Sequence, residues 1–193
     1  MPTESYRTEI IEDIDGMGYE YEFMEPTEGK LLALLTELFE THWSHIVFGP
    51  CIQGAVFEVR VPTAAKKISM LDGYLTVDFG DWHFHLCIGQ HQGTKANPAP
   101  KALAQMRRAS KAVFFRSLGR VCAGGSWGFR MWNGVDEQML TVFFPNPYLD
   151  ERFKPQKPDW TKLKLWNDMR MKYLPGSTAW IPDASVYAMQ PDS

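Results

Sequence analysis

Two histidines set two residues apart, His83 and His85 in the run Trp82-His-Phe-His-Leu, are the residues best spaced for chemistry. On a β-strand, residues i and i+2 share a face about 6.6 Å apart, at ~3.3 Å rise per residue. Two imidazoles so placed reach one metal ion together, as zinc sites often require. A third ligand must come from elsewhere. His91 is the first choice, because Gly89 allows the chain to bend back toward the strand. Glu58 would instead complete a two-His, one-carboxylate set suited to Fe(II). Asp78 is expected opposite His83, where it would hold the imidazole tautomer. Cys87 shares the face and is a further ligand for zinc or copper as thiolate. The expected cofactor is therefore a divalent ion, zinc or iron, with an open position that could activate water. All five histidines lie between His42 and His91. The competing reading is a non-catalytic ligand-binding or assembly module, in which the same face forms a pocket. Whether the chain is an enzyme stays open, and no catalytic residue is assigned.

These side chains need a hairpin to hold them. Tyr74–Phe79 and Trp82–Ile88 alternate apolar and polar residues around Gly80-Asp81, a two-residue turn. That turn pairs Asp78 with His83, Thr76 with His85 and Tyr74 with Cys87. Leu75, Val77, Phe79, Trp82, Phe84, Leu86 and Ile88 then form a dry face. A slip of one residue would mix the two sets. A second turn, Asp72-Gly73, adds Lys67–Leu71 with Met70 opposite Leu75 and Ile68 opposite Val77. Cys51–Val61 reads as one more strand of this meander.

The flanking elements follow from periodicity. Thr27 caps a helix to about Trp43, with Leu31, Leu34, Leu35, Leu38 and Phe39 as its buried stripe. His42 and His45 fall at its end. A second helix is expected from Asn97-Pro98 to a cap at Gly119, burying Leu103, Met106, Ser110, Val113, Phe114 and Leu118. Its solvated face would carry Arg107, Arg108, Lys111 and Arg116, a candidate patch for an acidic partner. Trp127–Trp132 and Glu137–Phe144 form a second hairpin, with Trp127, Phe129 and Met131 facing Val142, Leu140 and Gln138. Asp159 caps a third helix, Trp160–Tyr173. The reading is a single α+β domain over 1–193, an antiparallel sheet of meander plus hairpin with two or three helices on one face. Residues 1–26 and 175–193 read as extended segments, the former with a short strand near Tyr19–Met24 and the latter docked by Trp180, Ile181, Val186, Tyr187 and Met189.

Composition narrows the function. The formal charge of −3 argues against nucleic acid as a bulk electrostatic partner. No apolar run is long enough for a membrane span, and the acidic start lacks signal-peptide features. Three scattered cysteines, Cys51, Cys87 and Cys122, make no disulfide framework, so a cytoplasmic chain is expected. A small-molecule ligand and a homo-oligomer remain compatible with the sequence. The segments HWSHIVFGPCIQGAVFEVR, LDGYLTVDFGDWHFHLCIGQHQG, SWGFRMWNG and FFPNPYLD resemble an uncharacterised family of bacterial proteins. That resemblance implies a bacterial, cytoplasmic origin and assigns no catalytic residue.

Overall fold

The fold was derived from a computed structural model that describes residues 6–12, 17–52, 54–118 and 125–182. In chain order, β1 (Thr8–Glu12) and β2 (Gly18–Met24) precede α1 (Glu28–Glu40). A short 3-10 turn, Trp43–His45, leads to β3 (Val47–Gly49), then to β4 (Cys51–Ile52) and β5 (Ala55–Val56). The strands β6 (Lys67–Leu71), β7 (Tyr74–Asp78) and β8 (His83–Cys87) follow, then α2 (Lys101–Arg107). The chain continues through β9 (Lys111–Ser117), β10 (Trp127–Trp132) and β11 (Gln138–Phe143) to α3 (Lys164–Tyr173). The architecture is α+β, with a six-stranded antiparallel sheet in the order β1-β2-β9-β10-β11-β3 and a separate three-stranded meander, β6-β7-β8.

α1 forms where its sequence predicts. The Thr27 side chain accepts from Lys30 N–H at 3.4 Å, and Leu31, Leu34, Leu35, Leu38 and Phe39 are all fully buried. Phe39 meets Phe48 of the large sheet and Phe79 and Phe84 of the meander, so one core joins both sheets to the helix. α3 is tied down by charge as well as packing: the buried Arg170 guanidinium bonds both oxygens of the buried Glu22 carboxylate on β2. Asp159 accepts from Thr161 N–H as expected, although a 3-10 turn, Trp160–Leu163, precedes the helix proper.

The expected second helix is mostly a strand. α2 ends at Arg107, and β9 runs through the centre of the large sheet between β2 and β10. Ala112 and Phe114 face the helices while Val113 and Phe115 face the opposite side, and all four are buried. A strand buried on both faces has no polar alternation, so its apolar run also satisfies a helical stripe. The basic patch divides with it: on β9, Lys111 pairs with Asp136 and Arg116 with Glu20, while Arg107 and Arg108 stay exposed at the end of α2. Cys51–Val61 is likewise not one strand but the short β4–β5 hairpin, followed by a single bridge from Val59 to Phe48. Phe57 is exposed. In the second hairpin Phe129 faces Val142 and Met131 faces Leu140, two residues from the expected register. A bulge after Met131 shifts the pairing by one residue, and the Asn133 side chain shapes the loop by accepting from Val135 and Glu137 N–H. β1 is a strand that the acidic N-terminal composition had concealed. Gly119, Cys122, Val186, Tyr187 and Met189 lie outside the described residues.

Candidate functional site

The meander folds in the predicted register. Asp78 faces His83, Thr76 faces His85 and Tyr74 faces Cys87, while Lys67, Ile68 and Met70 face Asp78, Val77 and Leu75. Asp72 and Gly73 both adopt positive φ, 48° and 79°, as a twisted two-residue hairpin turn demands. Leu75, Val77, Phe79, Leu86 and Ile88 are buried against the core; Trp82, stacked on Phe79, stays partly exposed at the turn.

His83 and His85 come together on the opposite face. Both are exposed, and their rings lie 4.9 Å apart at 68°. His85 Nδ1 is 2.8 Å from the Thr76 hydroxyl across the ladder. When Nδ1 donates to that hydroxyl, Nε2 keeps its lone pair and faces away from β7. A metal-bound histidine is supported in this manner.

His91 is not brought to the pair. The chain bends at Gly89, whose N–H bonds the Gly73 carbonyl, but it returns to the Asp72-Gly73 turn. There the Asp72 carboxylate collects His91 Nδ1 at 2.7 Å and the N–H groups of Gln92 and Gly93 at 2.7 and 3.0 Å. A carboxylate only accepts and a guanidinium only donates. His91 Nδ1–H therefore donates to Asp72, and Nε2 receives Arg107 at 3.4 Å. The imidazole is held at the far end of the ladder, beyond Tyr74, by two charged neighbours. It joins the loop and α2 to the meander. These bonds also hold the Asp72 carboxyl below its ordinary range, led by the Gln92 N–H.

The other candidates have their own partners. Asp78 accepts from Gly80 N–H at 2.7 Å, closing the turn beside His83. Cys87 is buried, with its thiol toward the Gly89 carbonyl, and burial pushes its pKa up despite a hydrogen bond with Tyr74. Glu58 lies in a cleft over the other sheet, where its charge reaches Cys51. Among the described residues, no three of His, Cys, Asp and Glu converge as a metal-holding group. The face thus offers two adjacent imidazoles and no third protein ligand of its own.

That cleft, about 1470 Å³, is lined by Tyr19, Tyr21, Arg130 and Trp132 of the large sheet and, at another part of its wall, by Lys164 and Asp168 of α3. Tyr19, Tyr21, Phe115 and Trp132 pack there around the buried Arg130, whose guanidinium carbon is 4.6 Å from the Phe115 ring centre. A polar chain crosses the strands. Arg130 donates to the Tyr21 hydroxyl at 2.9 Å and to Thr141 at 3.1 Å, and Thr141 donates to Gln138, which also takes the Cys51 N–H. Sequence reasoning missed this network. Its signal was a lone arginine inside Trp127–Trp132, a strand apolar on both faces.

No helix among the described residues is long and apolar enough to cross a membrane. Comparison with curated proteins finds no match to this chain. A family model does match residues 8–175, which include the strands and helices described above, and the chain belongs to that family of unknown function, DUF7676.

Proposed function

We propose that this protein binds a divalent transition-metal ion through His83 and His85 on the outer face of the meander. The observation that carries the reading is the pair itself: exposed rings 4.9 Å apart, one steadied by Thr76. The ion favoured is zinc rather than iron, because the two ligands are imidazoles and Glu58 sits in another part of the molecule. Two protein ligands leave coordination positions for water, a bound ligand or a second protein. The unpaired thiols of Cys51 and Cys87 favour a reducing, cytoplasmic setting. The test is competition of untagged protein against a chromogenic zinc chelator. Wild type withdraws zinc, His83→Ala does not, and His91→Ala behaves as wild type. Equal competition by wild type and His83→Ala rejects the assignment.

A second reading is favoured by the cleft over the large sheet. Its wall of Tyr19, Tyr21, Trp132 and Phe143 is a platform on which a planar ligand would stack. Thermal-shift screening against planar metabolites checks this: a hit should vanish in Trp132→Ala, and a screen without hits counts against it.

A further inference from the structure

We propose that the metal site is completed by a second copy of this chain, paired edge to edge along β8. The proposal rests on the reading of His83 and His85 as metal ligands. It begins from hydrogen-bond alternation. The Phe79 N–H bonds the Trp82 carbonyl, and the Ile88 N–H bonds the Gly73 carbonyl, both at 3.0 Å. In an antiparallel ladder this assigns the backbone groups of Phe84 and Leu86 to β7 and turns those of His83, His85 and Cys87 outward. β8 is an edge strand. At its C-terminal end the Cys87 carbonyl is already taken by Ala109 N–H at 2.8 Å. The outward N–H and C=O groups of His83 and His85 remain as a short template for another strand.

The template is self-complementary. A two-fold axis beside Phe84 sets His83 opposite the partner's His85 and His85 opposite the partner's His83. Each pair exchanges its outward N–H and C=O groups. A register displaced toward the strand's end would need the Cys87 carbonyl, which is occupied; one displaced the other way would need residues of the Gly80-Asp81 turn. In the central register all four imidazoles stand on one face. They lie about 5 Å apart across the strands and about 6.6 Å along them. Four neutral imidazoles meet the tetrahedral demand of Zn²⁺ that one chain leaves half filled. Asp78 of each chain, paired with His83 on the ladder, offsets the charge of the ion. A three-residue pairing is too short to hold two chains alone, so association should require the metal.

Sedimentation velocity of untagged full-length protein tests this, with a chelator and then with Zn²⁺ alone. The expected result is a monomer with chelator and a dimer holding one zinc per two chains. At zinc a hundredfold above its Kd, linkage raises the association constant by about 100-fold. Cu²⁺ as the spectroscopic probe should report four nitrogen ligands, and His85→Ala should stay monomeric at the same zinc concentration. One metal per monomer, with two nitrogens, would overturn the pairing while leaving the two-histidine site standing. Absence of metal binding would overturn both. Zinc-driven dimers that persist in His85→Ala would show that a different surface associates.

Discussion

The outer faces of the two sheets carry polar side chains under opposite conditions. On the large sheet, Arg130, Thr141 and Tyr21 are buried among aromatic rings and bonded to one another across strands. On the meander, His83 and His85 stand exposed, and one hydrogen bond, between His85 Nδ1 and the Thr76 hydroxyl, steadies one of the two rings. A buried polar group is costly unless its partners are supplied internally, so the first set is spent on holding the fold. The second is already solvated and free to exchange water for a ligand. On the proposed reading, polarity on a sheet face serves a ligand only where burial has not claimed it.

The sharpest test of how firmly burial claims a polar group is to remove the buried charge that α3 sets against β2 of the large sheet. Arg170→Ala strands the Glu22 carboxylate between β2 and α3 and should cost about 3–5 kcal/mol in urea unfolding. A loss below 1 kcal/mol would mean that the pair is not buried as described. Next comes Gly128→Ala. Its new Cβ would collide with the Phe115 ring and the Val142 carbonyl, and about 1–3 kcal/mol is expected from overpacking. Unchanged stability there would show the aromatic face to be loose. On the meander, His83→Ala and His85→Ala should move stability by no more than ~0.5 kcal/mol, as exposed substitutions do. A large destabilisation would place these rings among the structural set.

The smallest effect concerns pH. Asp72 has its carboxyl held below the ordinary 3.8 by Gln92 and Gly93 N–H and by His91. A lowered folded pKa stabilises the fold above the unfolded value, and that contribution fades as pH falls through the folded one. Melting temperature followed downward from pH 5 should thus fall more steeply in wild type than in Asp72→Asn, with the divergence beginning near pH 4. Parallel curves would remove Asp72 from the account of how the His91 loop is fastened.

The meander was legible because each of its signals agreed. The Asp72-Gly73 and Gly80-Asp81 turns fixed the register, and period-two alternation separated the dry face from the histidines. β9 was illegible for the converse reason. Buried on both faces, Ala112–Phe115 carries no alternation, and helix and strand fit it equally well. The role expected of His91 failed at longer range. Gly89 did signal a bend, but its direction was set by the Asp72 carboxylate, 19 residues earlier, which local spacing cannot foresee. Arg130 escaped notice because the sequence does not say which buried strand face will hold enough hydroxyls to bond a guanidinium.

Calorimetric titration of Zn²⁺ into untagged protein tests the central claim most directly, with His85→Ala and His91→Ala run alongside. Saturable binding in wild type and His91→Ala, abolished in His85→Ala, is the predicted result. Superimposable isotherms for wild type and His85→Ala would contradict it.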